Sequence, residues 1–378
     1  MRKEYLLAPG PTQVPPEVLL EMARPVSHHR TSEYRRLHEE VLNGLKTVFR
    51  TENDVFISSS SGTGAMESAV ANIVCPGDKA LVVQGGKFGE RWTELCEAFG
   101  ARPVVIEVEW GKAVDPEVIR KHLNDDPDIA AVYTTLSETS TGVVNDLESI
   151  GAIVKETDAI LVCDGISAVG ALPMETDAWG VDMLVVGSQK ALMMPPGLGF
   201  VTVSPKAWAR IDFCDSTAYY FDLKRARKSM KTFDNPWTPA VTMIVGLKKA
   251  LDIINERGIE QVWKDHTRLG EAARAAAKAL GLQLLADSPA DCVTAIRLPD
   301  DLDGAELVKK LRVERGITIA GGQAHLKGKI CRISHMGYAG DYDVIIAISA
   351  LEMILDEMGH EFELGAGVRA AEQVLRKG

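Results

Sequence analysis

In this chain of 378 residues an aspartate and a lysine, Asp164 and Lys190, each close a short apolar run. The runs are Ala159-Ile160-Leu161-Val162-Cys163 and Met183-Leu184-Val185-Val186-Gly187-Ser188-Gln189. A carboxylate and an amine at the ends of neighbouring buried strands are what pyridoxal phosphate chemistry needs. The amine condenses with the aldehyde, and the carboxylate keeps the pyridine nitrogen protonated so that the ring accepts electrons. The bland alternatives are a surface lysine and a helix-capping aspartate. The apolar runs, and the stiff turn Pro195-Pro196-Gly197 after the lysine, favour chemistry.

Other words along the chain suit the same task. Ser58-Ser59-Ser60-Ser61-Gly62-Thr63-Gly64 follows one apolar run and opens a helical pattern. Backbone amides and small hydroxyls there make a phosphate cradle. A dinucleotide fingerprint fails, because Met66 and Glu67 stand where a further glycine is required. Arg332, in Ile330-Cys331-Arg332-Ile333-Ser334, offers a guanidinium fork that fits a carboxylate in a way lysine does not. A structural ion pair is its competing role.

The elements that must hold these residues are legible as alternation. Apolar runs at Val55–Ser58, Lys79–Val83, Pro103–Val108, Ala130–Thr135, Ile160–Asp164, Met183–Gly187 and Phe200–Val203 alternate with helical patterns. That predicts an α/β layer with a mostly parallel sheet, whose ligands gather at the carboxyl ends of the strands. Proline at positions 9, 11, 15 and 16 predicts an extended arm over residues 1–20 rather than a helix. A large domain is expected over 21–257 and a smaller α+β domain over 258–378. A helix at Val241–Asn255 should close the large domain, and the smaller one should hold a helix at Val262–Leu280, strands at Gln283–Leu285, Val293–Arg297, Ile317–Ala320 and Ile330–Ser334, and a final helix capped by Asp341.

Composition narrows the class. With 46% hydrophobic and 25% charged residues the chain is an ordinary globular protein, and its net charge of −11 argues against nucleic acid or an anionic membrane as partner. Six scattered cysteines, with no CxxC pair and no histidine cluster, predict free thiols and no metal. No run has the length of a signal peptide core or a membrane span, so the cytoplasm is the expected location.

The words Cys163-Asp164-Gly165-Ile166-Ser167-Ala168 and Gly187-Ser188-Gln189-Lys190-Ala191-Leu192 resemble the class V aminotransferases, most of all the alanine–glyoxylate and serine–glyoxylate (serine–pyruvate) enzymes. The resemblance runs from Ala8-Pro9-Gly10-Pro11-Thr12 to Met336-Gly337. It implies PLP fold-type I, a pyridoxal 5'-phosphate cofactor, and a homodimer with its sites at the subunit interface. It further implies Lys190 as the Schiff-base lysine, Asp164 as the ring-nitrogen partner, and Ser61, Gly62, Thr63 and Gln189 around the phosphate. Phe88, in Gly86-Lys87-Phe88-Gly89-Glu90-Arg91, would stack on the ring where relatives commonly carry tryptophan, with Ile166 on the opposite face. Thr139, in place of a family serine, would reach the ring oxygen or the substrate. Thr238 would serve the neighbouring subunit's phosphate site, Asn235 stands where relatives often have tyrosine, and His29 and Arg30 are left unassigned. Arg332 would hold the substrate's α-carboxylate.

The implied reaction is ping-pong transfer from a small L-amino acid, serine or alanine, to glyoxylate or pyruvate. Aspartate and 2-aminoethylphosphonate are alternative donors. A cysteine desulfurase would need a cysteine in a mobile loop, whereas Cys331 falls in an expected strand. A non-catalytic subunit that kept the fold is the reading from another class.

Overall fold

The computed structural model describes residues 3–377. Its central sheet has seven strands in the spatial order Asp54–Ser58, Gly199–Val203, Met183–Gly187, Ile160–Asp164, Ile129–Thr135, Lys79–Gln84 and Arg102–Glu107. From Met183–Gly187 to Arg102–Glu107 all pairings are parallel. Gly199–Val203 runs antiparallel to both its neighbours. Every strand expected for this sheet ends within a residue of an observed one.

The two central strands are buried at every position, as parallel strands covered on both faces must be, which is why they read as continuous apolar runs. One core lies on the face covered by helices Gly62–Ile73 and Lys87–Ala98, with Met66, Val70 and Trp92 in it. The other holds Leu45, Phe49, Ile244 and Leu247 from helices Ser32–Phe49 and Val241–Arg257.

A second sheet has four antiparallel strands in the order Gln283–Leu284, Val293–Arg297, Ile330–Ser334 and Ala320–Gly321. Helices Ile259–Ala279, Asp341–Glu357 and Ala366–Leu375 share its separate core, which also takes in Leu7 from the arm.

Several expectations are corrected. The arm is not wholly extended, because Pro16–Met22 is a helix. Proline fits its first position, where the missing N–H has no partner to lose. Before that helix, Tyr5–Leu6 pairs in parallel with Ile317–Thr318. The expected strand Ile317–Ala320 therefore splits, its second part pairing with Ile330–Ser334 instead. The helix expected from Val262 begins at Ile259, after Gly258. Asp341 is the first helical residue rather than the cap, since the N–H of Gly340 donates to Asp343 and Gly340 holds the cap position.

The helix Ala366–Leu375 was not expected at all. The buried Glu352 accepts from the N–H groups of Gly365, Gly367 and Val368 at its start, a long-range cap that leaves no local sequence signature. Free thiols were expected throughout, but Cys75 and Cys214 form a disulfide across 139 positions. Only Cys96, Cys163, Cys292 and Cys331 are free, and all four are buried. Among the described residues no helix is long and apolar enough to cross a membrane.

Candidate active site

Asp164 ends its strand, and Lys190 lies just past the end of the adjacent parallel one, where Asp164 pairs with Val185. Both side chains are buried, at 3% and 8% exposure. Burial pushes the Asp164 carboxyl up to about 7, against the pull of the Ile166 N–H, which donates to Oδ1 at 2.8 Å. Burial likewise pushes the Lys190 amine down to about 8, with Arg332 and Arg91 acting in the same direction. Cys292 and Asp164 oppose that shift. The Lys190 Nζ donates to the carbonyl of Pro9.

Arg332 is 6% exposed on the strand Ile330–Ser334. Its Nε and Nη2 donate to the Gly321 carbonyl at 3.0 and 2.8 Å, and Nη1 to the Thr139 carbonyl at 2.7 Å. Among the described residues none of these three buried ionisable groups forms an ion pair. Leaving a charge buried and unpaired is costly, so the arrangement points to ligand charges that complete it.

Around them stand the other residues singled out in the sequence. The helix Gly62–Ile73 opens with Ser61 as its cap residue, whose side chain makes no capping bond. Gly62 lies against Ile166, and a Cβ there, 2.6 Å from the isoleucine's Cδ1, would push that side chain aside. Thr63 Oγ1 accepts from Arg91 Nη1 at 3.3 Å, and the Arg91 guanidinium lies 5.0 Å from the centre of the Phe88 ring. The buried amide oxygen of Gln189 has no donor, so the amide is free to turn either end to a ligand.

Thr139 is buried against the clamp. Its hydroxyl donates to Ser167 and its carbonyl accepts from Arg332, so it helps to hold the clamp. Thr238 is not gathered with the rest. It is exposed and lines a cavity with Ser58, Ser59, Tyr220 and Trp237. Asn235 is buried and accepts from the Tyr34 hydroxyl at 2.8 Å, while Arg30 pairs with Asp234. These are structural roles. His29 is stacked on His28.

Glu138 and Arg91 were not singled out from the sequence. The buried Glu138 carboxylate accepts from the N–H groups of Phe88 and Gly89, both at 3.1 Å, and from Ser140. It thereby fixes the start of the helix that carries Phe88, and burial raises its pKa. The available signal was an acid within a run of small hydroxyl residues directly after a buried strand. For Arg91 it was the three-residue spacing from Phe88, which puts both on one helical face.

The residues fit a pyridoxal phosphate. They provide a buried amine, a buried carboxylate with no ion-pair partner among the described residues, and a helix start whose Ser61 side chain makes no capping bond. Together, fold and site define a pyridoxal-phosphate-dependent aminotransferase of fold type I, an enzyme.

More narrowly, the chain belongs to the class-V aminotransferase family, whose sequence model matches residues 4–344. It is 43% identical to a soluble hydrogenase 42 kDa subunit from Anabaena cylindrica, over 99% of each chain. It is 36% identical to a serine–glyoxylate aminotransferase from Methylorubrum extorquens, over 99% of this chain and 96% of that one. Among solved structures, the ureidoglycine–glyoxylate aminotransferase of Bacillus subtilis superposes with a TM-score of 0.95 at 28% identity, covering 100% of this chain and 99% of the other.

Proposed function

We propose that this enzyme transfers the amino group of a small L-amino acid, serine or alanine, to glyoxylate or pyruvate in a ping-pong cycle. The observation that carries the reading is the set of three buried groups, Asp164, Lys190 and Arg332, none with a protein ion-pair partner among the described residues. When bound, pyridoxal phosphate supplies an aldehyde for the donor amine and a ring that takes up the electron pair left at its α-carbon.

The chain's own residues do the rest. Asp164 holds the proton on the ring nitrogen, and a cation beside it returns its carboxyl to the ionised form. Lys190, once free, takes the α-proton on Nζ. Its lowered pKa leaves about a tenth of it as neutral amine at pH 7, far more than an ordinary lysine has there. Arg332 spends three N–H groups on Gly321 and Thr139, leaving one on each terminal nitrogen for the donor's carboxylate. Ser61, Gly62, Thr63 and Gln189 hold the phosphate. Phe88, kept in place by Glu138, and Ile166 flank the ring.

Arg91 is engaged with Thr63 and the Phe88 ring, and this reading assigns Arg332 alone, among the described residues, as a carboxylate clamp. That supports small donors. A homodimer is part of the proposal, with Thr238 at the neighbouring site. The exposed Leu20, Val26 and Tyr219 supply apolar surface for it. So is a cytoplasmic location.

The test is a donor panel with glyoxylate as acceptor. Serine or alanine is expected to give the highest kcat/KM, with aspartate and 2-aminoethylphosphonate at least about tenfold lower, the scale of one ill-matched contact. Preference for either of the latter would overturn the small-donor assignment.

A further inference from the structure

The N-terminal arm reaches the site from the second sheet, and its bonds converge on Lys190. The Leu7 N–H donates to Thr318 at 2.8 Å, and the Leu7 carbonyl accepts from the Ser334 N–H at 2.8 Å, on the strand that bears Arg332. The Pro9 carbonyl then accepts from Lys190 Nζ. Gly10 has φ +109°, and a Cβ there would collide with Nζ. Thr12, 6% exposed, grips the backbone: its hydroxyl donates to the Lys190 carbonyl at 2.9 Å and its N–H to the Gln189 carbonyl at 3.2 Å. Gly337 closes the group from the other side, since a Cβ there would lie 3.0 Å from the Lys190 carbonyl oxygen and 3.3 Å from Thr12 Oγ1.

We propose that Thr12 is a positioning residue for Lys190, holding its backbone while the Pro9 carbonyl receives the free amine between its covalent engagements. The arm thus ties the reactive amine to the strand of the Arg332 clamp. The proposal rests on Lys190 being the amine that engages the cofactor, and Lys190→Ala tests that separately.

The experiment compares the holoenzymes of Thr12→Val and Thr12→Ser. It also follows the rate at which cofactor-stripped protein captures pyridoxal phosphate as a function of pH. Thr12→Val is expected to lose about tenfold in kcat, the scale of one buried hydrogen bond, with the donor KM within about twofold. Thr12→Ser, which keeps the hydroxyl, should stay within about twofold of the unsubstituted enzyme.

Wild-type capture should rise about tenfold from pH 7 to pH 9 and level off, following the neutral fraction of an amine near 8. In Thr12→Val the midpoint should move up, as a loosened Lys190 regains water. Equal kcat in Thr12→Val, or a loss that serine does not spare with the midpoint unmoved, overturns the proposal. Should Thr12→Val fail to fold, Gly10→Ala replaces it, and capture as fast as wild type would refute the arm's role. If Lys190→Ala keeps its activity, the underlying reading fails. If it loses activity while the arm variants behave as wild type, only this inference does.

Discussion

Replacing Lys190 with alanine is expected to lower kcat by about 10²–10⁴-fold or more while leaving the fold intact. Loss of a positioned general base costs that much by itself, and the covalent link to the cofactor goes with it. The fold should tolerate the change, because the amine is held against its own solvation. Its pKa is depressed by burial, and among the described residues its only hydrogen-bond partner is the Pro9 carbonyl. The variant should still bind pyridoxal phosphate through the Ser61–Thr63 helix start. Borohydride should fix the cofactor to the wild-type chain and not to the variant, which mass spectrometry reads directly. A variant that keeps more than about a tenth of wild-type kcat would mean that another base serves the site.

Arg332→Lys carries the second large effect. The guanidinium makes three bonds to two backbone carbonyls while leaving N–H groups for a ligand, and a single ammonium cannot reproduce that fork. We expect kcat/KM for the amino donor to fall by about 10²-fold, corresponding to roughly 2–3 kcal/mol for a lost charge-assisted pair of bonds. Cofactor capture should be unchanged. Much of the loss should appear in KM, since the carboxylate is held in ground and transition states alike. If capture falls together with kcat/KM, Arg332 is acting as a structural tie between Gly321 and Thr139 rather than as the clamp.

What was legible in the sequence follows from what each residue's environment writes into the chain. Asp164 and Lys190 stand out because the strands before them are buried on both faces, so the flanking residues must be apolar. Arg332 stands out as a lone cation in an apolar strand. The roles of Ser61, Thr63, Phe88 and Ile166 toward the cofactor are proposals from motif and placement. What escaped is long-range pairing. Glu138 reads as a polar turn until the amides of Phe88 and Gly89 are placed on it. Thr12 sits in a proline-rich stretch whose partner lies 178 positions away. Cys75 and Cys214 meet only once the ends of their helices are folded together, and spacing alone carries no such information.

The central claim is most directly tested by the visible absorption of the purified protein with pyridoxal phosphate, before and after L-serine and then glyoxylate. A yellow protein that bleaches with serine and regains its colour with glyoxylate would show both half-reactions and the substrate class at once. A protein that stays colourless after the cofactor is supplied, or a yellow one that neither serine nor alanine bleaches, would contradict the account.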